Sequence, residues 1–158
     1  MKEFTIRRAE EYDISDIDKL LFEVNKVHSD VRPDLFKAGA KKYSCDELKK
    51  IIADDKTPVF VADKGGKVLG YVFCVHRQHI NDSNMTDIKT LYIDDLCVDE
   101  AFRGEHIGKS LYEYAIDYAK KHNYYNVTLN VWADNVNAVK FYKKVGLKIQ
   151  KIGMEKIL

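Results

Sequence analysis

The chain has 158 residues, 46% hydrophobic and 32% charged, with only two prolines, a balance that excludes a disordered polypeptide and fits one domain around one core. Its 26 basic and 25 acidic side chains leave a formal charge of +1, too small a field to hold a nucleic acid. No apolar stretch approaches the roughly 20 residues that cross a bilayer, and the start, Met1 to Arg7, lacks the apolar run of a secretion signal, so the cytoplasm is the expected compartment and no membrane partner is expected.

Phe4 to Arg8 alternates apolar and polar residues as a short strand does, and after Tyr12-Asp13 the residues Ile14, Ile17, Leu20, Leu21, Val24 and Val27 recur at helical steps. Segment 28–43, with Pro33 and Gly39, breaks that period and reads as a connection. Ser44-Cys45-Asp46-Glu47 fits a capping box that opens a second helix, burying Leu48, Ile51 and Ile52. Residues 58–63 and 68–75 read as two strands joined at Gly65-Gly66. After a polar loop, 77–87, a strand from Lys89 to Val98 continues the antiparallel meander.

A helix from about Gly104 to His122 carries Ile107, Leu111, Ala115 and Tyr118 on one face, and Val127, Leu129 and Val131 alternate as a strand. Helix 136–145 ends at Gly146, a C-terminal cap, and Leu147 to Leu158 is expected to supply one or two closing strands. The order β-α-α-β-β-β-α-β-α-β describes one α/β domain over 1–158, a mixed and mostly antiparallel sheet flanked by helices. Cys45, Cys74 and Cys97 are odd in number and form no C-x-x-C pair, so reduced thiols are expected. His76 and His79 are spaced like metal ligands, but no further cluster supplies a third and fourth, and no metal is expected.

The densest local signal runs from Asp94 to Gly108: Asp94-Asp95-Leu96-Cys97-Val98, a tight connection through Arg103-Gly104-Glu105-His106, then Ile107-Gly108-Lys109 opening a helix. A strand that turns directly into a helix gathers unpaired backbone N–H groups at the positive end of the helix dipole, which favours an anion. Gly104 and Gly108 permit close approach to the main chain, and Arg103 adds a fixed charge. Gly104 to Ser110 also looks like a P-loop, but it is one residue short, and the meander before it opposes the parallel sheet of P-loop enzymes.

Residues 103–108 resemble the acyl-CoA-binding motif R-x-x-G-x-G/A of the GNAT N-acetyltransferases, often written R-G-x-G-I-G, with Arg103, Gly104, Ile107 and Gly108 matching and His106 standing where that family usually has glycine. Asn135, Ala138, Tyr142 and Gly146 follow at the spacing of the family's second signature, N-x-x-A-x-x-x-Y-x-x-x-G. The chain therefore resembles the GNAT superfamily, with its diagnostic motifs in residues 90–147. The resemblance implies a sheet splayed between the strands ending near Val98 and Val131. Acetyl-CoA would lie there, its pantetheine against Leu96, Cys97 and Val98 and its pyrophosphate on the N–H groups of 103–108, beside Lys109.

It further implies a general acid at Tyr142, protonating the departing thiolate, and roles for Asn135 and Ala138 at the start of the last helix. Asn135 would orient pantetheine, cap that helix, or do both. Asp94 and Asp95 stand where an amine's proton must be accepted, and the pair resembles the Glu-Asp pair of polyamine acetyltransferases, which favours Asp94 as base. Neighbouring strand residues face opposite ways unless a bulge intervenes, so one of the two is expected in the site. Asp30, Asp34, Asp82 and Asp87 lie in the two connections that would meet a cationic acceptor.

Direct attack by the amine is the expected route. An acyl-Cys97 route lacks a base beside the thiol, and inert packing is the expectation for Cys97. The other function class is a catalytically silent CoA-binding sensor or interaction module on the same fold. Tyr142 together with Asp94-Asp95 argues for turnover. The amine acceptor, small molecule or peptide, stays open, and a homodimer is an expectation drawn from the resemblance alone.

Overall fold

Four antiparallel strands follow one another across the sheet before its sense changes. The computed structural model describes residues 3–158, so Met1 and Lys2, at the start of the segment read for a secretion signal, lie outside it. Strand β1 (Thr5–Arg8), a 3-10 turn at Glu11–Asp13, α1 (Ile14–Val31) and α2 (Cys45–Ala53) come first. They are followed by β2 (Val59–Lys64), β3 (Lys67–Arg77), β4 (Thr90–Val98), a 3-10 turn at Glu100–Phe102, α3 (Ile107–Lys121), β5 (Asn126–Leu129) and α4 (Val136–Lys144). The sheet order is β1-β2-β3-β4-β5, with only the β4–β5 pair parallel.

Both faces of the central strands are covered, which is why β3 is apolar almost throughout rather than alternating. Val68, Tyr71 and Phe73 pack with Ile14, Ile17, Leu20, Leu21 and Leu48 on the α1/α2 side. Leu69, Val72 and Cys74 pack with Ile107, Leu111, Ala115 and Ala119 of α3 on the other. Beside the first layer the Arg7 guanidinium grips buried Asp13 through two bonds of 2.7 and 2.9 Å, satisfying a charge that would be costly to bury alone.

Local signals mark the start of α2 and the end of α4. The Ser44 hydroxyl accepts from the Glu47 N–H at 3.1 Å while the Glu47 carboxylate accepts from the Ser44 N–H at 3.3 Å, closing the capping box. Gly146, at φ 105°, ends α4 with the Leu147 N–H donating to the Tyr142 carbonyl at 3.0 Å, a Schellman turn.

Four expectations require correction. Helix α1 continues to Val31, so the connection starts at Arg32 instead of His28. Helix α3 begins at Ile107, because Gly104 and His106 both adopt positive φ and cannot sit in a right-handed turn. Strand β5 stops at Leu129, leaving Val131 exposed. No closing strand forms over Leu147 to Leu158: Leu147 packs on the α3-side core, but Ile149, Ile152, Met154 and Ile157 follow steps of three, two and three that no single strand face collects, and each is more than two thirds exposed.

Candidate active site

Strand β4 brings two carboxylates to one face by breaking its own alternation. It pairs Asp95 with Phe73 and Ile93 with Cys74, so Asp94 is the extra residue of a bulge. Asp94 Oδ2 accepts from the Tyr43 hydroxyl at 2.6 Å and Oδ1 from Lys42 Nζ at 2.9 Å. Asp95 Oδ2 accepts from the Tyr71 hydroxyl at 2.7 Å. Tyr71 stacks on Phe73 with centroids 4.7 Å apart, and Tyr43 meets Phe73 edge-on at 5.8 Å. Both carboxylates therefore reach the same aromatic cluster on the α1/α2 side, not one on each face as regular alternation would give.

Their surroundings differ. Burial pushes the Asp95 carboxyl up to about 6, although the Tyr71 hydrogen bond and the Lys42 charge pull it down, and the nearby Asp94 charge adds to the rise. Burial and the Asp94 hydrogen bond push the Tyr43 phenol upward, so it stays a proton donor to Asp94.

Beyond Ile93 the two central strands part company. Strand β4 pairs with β5 only from Thr90–Asn126 to Ile93–Leu129, yet it keeps pairing with β3 as far as Val98. Residues 94–98 thus line a wedge on the β5 side. Tyr142 of α4 stands across it: burial and the charges of Asp95 and Cys97 raise its phenol to about 12, so it remains protonated at neutral pH.

At the mouth of the wedge, the Asp99 carboxylate accepts from the Ala101 N–H at 2.9 Å and turns the chain into the loop before α3. Gly104 has φ 87° and His106 has φ 61°, and no side chain caps the first turn of α3. That turn contains no acidic residue, so its N–H groups and dipole face outward without compensation from the helix itself. Arg103, Glu105, His106 and Lys109 are exposed around this turn, and Ile107 is buried beneath it.

A side chain added at Gly108 would start 3.5 Å from Val98, 3.7 Å from Phe141 and 3.8 Å from Leu96. The absent side chain thus leaves a notch where α3, β4 and α4 meet. Asn135 caps α4, its amide oxygen accepting from the Ala138 N–H at 3.3 Å.

Other sequence candidates have local occupations. Cys97 is buried, its thiol pushed up to about 12 by burial and directed at the Leu20 carbonyl 3.8 Å away, an environment that suppresses the thiolate. His76 Nδ1 lies 2.9 Å from the Tyr124 hydroxyl at the strand end. Asp30 is paired with Lys26, Asp34 with Arg32, and Asp82 accepts from the backbone of Asn84 and Met85. The Asp87 carbonyl accepts from Gln78 at 2.8 Å.

Lys42, Tyr43, Tyr71 and Gly70 were not anticipated. Only Gly70 left a trace in the sequence, as an isolated glycine within a strand. A methyl there would stand 2.7 Å from the Cys97 carbonyl oxygen, so glycine is what allows β3 to lie against the end of β4.

The profile of the Acetyltransferase (GNAT) family matches residues 22–147. An uncharacterized N-acetyltransferase of Methanocaldococcus jannaschii is 30% identical over 152 residues, 96% of this chain and 64% of that protein, so the chain spans just under two thirds of that relative's length. An uncharacterized N-acetyltransferase of Archaeoglobus fulgidus is 32% identical, with 94% of this chain and 95% of that one covered. Among solved structures, a tetramutant of the BH1408 protein from Bacillus halodurans superposes with a TM-score of 0.91 at 32% identity, covering 98% of this chain and 99% of that one.

Proposed function

We propose that this chain, which belongs to the Acetyltransferase (GNAT) family, moves an acetyl group from acetyl-CoA to a primary amine by direct attack. The observation that carries the reading is the wedge beyond Ile93, with two carboxylates on one wall and a protonated phenol on the other. The thioester supplies the activated acetyl group. Leu96, Cys97 and Val98 would hold the pantetheine, and residues 103–109 would hold the pyrophosphate on backbone N–H groups backed by Arg103 and Lys109. The notch at Gly108 fits that assignment, since any side chain there would fill it.

An amine reaches the site protonated and must lose a proton before it attacks. Asp94 is the base in this reading, its side chain still 15% exposed and held by Tyr43, while Asp95, whose carboxyl burial pushes up, is tied to Tyr71. Tyr142 gives its proton to the departing thiolate. The burial that lifts the phenol to about 12 also raises the basicity of a thiolate formed beside it, which offsets the phenol's weaker acidity. A buried Cys97 with a suppressed thiolate supports direct attack over an acyl-enzyme.

The three free thiols favour a cytoplasmic setting. No described helix is long and apolar enough to cross a membrane. The exposed Ile149, Ile152, Met154 and Ile157 suit a homodimer contact.

The test combines binding and turnover. Acetyl-CoA should raise the melting temperature of the wild-type protein, and Gly108→Trp should lose the shift. A screen of polyamines, amino acids, aminoglycosides and peptide N-termini, read by CoA release, should give turnover that Tyr142→Phe lowers about 10²-fold. Binding without turnover on any amine would identify a silent CoA-binding module, and a response to ATP in place of acetyl-CoA would overturn the reading.

A further inference from the structure

Lys42 lies in the connection between α1 and α2, a segment of turns with no helix or strand to fix it. Its side chain is 46% exposed, yet its amine does not face bulk solvent alone: Nζ sits 2.9 Å from Asp94 Oδ1, and Tyr43 holds the other oxygen of the same carboxylate at 2.6 Å. The ammonium also lies 5.5 Å from the centroid of the Tyr43 ring. Other paired lysines, such as Lys26 with Asp30, Lys64 with Glu3 and Lys109 with Glu113, meet ordinary surface carboxylates. Lys42 is the lysine bonded to the carboxylate assigned above as the base.

An acceptor must place its nitrogen within hydrogen-bond reach of that base, and the Lys42 amine already does so. A tethered nucleophile also needs no bimolecular encounter, and well-oriented intramolecular reactions gain effective molarities as high as about 10⁵ M and beyond. We infer that Lys42 is a self-acetylation site, the chain's own amine serving as acceptor when no other occupies the wedge. This inference rests on the acetyltransferase reading and goes beyond it by naming an amine.

The step balances as follows. The Lys42 ammonium gives one proton to Asp94, and the freed lone pair attacks the thioester carbonyl carbon. The new C–N bond forms, the C–S bond breaks, and the CoA thiolate takes a proton from Tyr142. The nitrogen sheds its second proton to solvent, Asp94 releases the proton it accepted, and solvent reprotonates Tyr142. Nε-acetyl-Lys42, CoA and one net proton result. The amide is neutral, so the modification also removes the cation from Asp94 and leaves that carboxylate to Tyr43 and to an incoming amine.

The test incubates purified protein with radiolabelled acetyl-CoA and no added amine, follows intact mass, and maps the modified residue. One acetyl group at Lys42 is expected, forming with a rate constant independent of protein concentration. Tyr142→Phe should slow that labelling about 10²-fold while leaving the slow chemical labelling of Lys64 unchanged. Lys42→Arg should remove the modification and keep the acetyl-CoA-induced rise in melting temperature. Labelling of Lys42 no faster than Lys64, or undiminished in Tyr142→Phe, would overturn the inference. If acetyl-CoA raises the melting temperature but Lys42 stays unmodified, the inference alone falls; if acetyl-CoA gives no rise, the functional reading falls with it.

Discussion

On the β3–β4 side of the wedge, Tyr71, Val72, Phe73, Leu91 and Ile93 are sealed between helices on both faces, and the polar groups of Asp94 and Asp95 each have a tyrosine partner. On the β5–α4 side, neither element contributes a fully buried residue, and the chain after Leu147 runs exposed to Leu158. The wall carrying the two carboxylates is therefore set by the core. The opposite wall, with Tyr142 and Asn135, is held by one short parallel ladder, by α4's half-buried contacts and, in the functional reading, by the ligand between the walls. Local stability follows such differences in burial. Ligand binding should thus do most to steady the second wall.

The sharpest way to break this contrast is at Gly70. Its added methyl would meet backbone, the Cys97 carbonyl oxygen at 2.7 Å and Val98 Cα at 3.3 Å, and backbone in a two-faced core cannot step aside. Gly70→Ala should cost about 3 kcal/mol by urea unfolding, whereas Val136→Ser, at a 54% exposed position of α4, should stay within about 0.5 kcal/mol. Similar costs at both positions would end the distinction between the walls.

A smaller effect, on the order of 2 kcal/mol, is expected from Asp95. Folding raises its carboxyl from the ordinary value to about 6, so the folded state holds the proton more tightly than the unfolded chain. The stability this confers is complete below the unfolded value near pH 4 and is lost as pH climbs through 6, above which the full cost of a buried carboxylate remains. Asp95→Asn, able to accept from Tyr71 while carrying no charge, should therefore gain on wild type between pH 4 and pH 7.5. Denaturation at the two pH values checks this, and a constant difference between the proteins would contradict it.

These contrasts also explain what the sequence disclosed. The capping box at Ser44, the Gly65-Gly66 hairpin, the Asn135 cap and the Gly146 terminator depend on residues within a few positions of one another, and each was readable. So was the order of the elements as far as α4. The bulge at Asp94 was not, because it arises from register against β3 and not from any property of Asp94 itself. Nor could spacing reveal that Lys42 and Tyr43 reach β4, more than fifty residues ahead. The expected strands after Leu147 failed because apolar content was visible there while a partner edge was not.

His106 gives the smallest expected effect and stands just before α3, in the loop at the mouth of the wedge. Its φ of 61° and ψ of 19° place a residue with a Cβ in the left-handed region, and its side chain forms no cap that would compensate. Such a conformation costs about 1–2 kcal/mol, while glycine gives back part of that through the greater freedom of its unfolded chain, about 0.5–1 kcal/mol. His106→Gly should therefore stabilise the protein by about 0.5–1 kcal/mol, and His106→Ala should bring no such gain, because alanine keeps the Cβ that makes the position costly. If both variants gain equally, the imidazole itself is the destabilising group and the backbone is at ease. If glycine alone gains and acetyl-CoA binds it as well as wild type by calorimetry, the loop's N–H groups suffice to hold the pyrophosphate without the ring, and the histidine is a departure from glycine that the main chain absorbs.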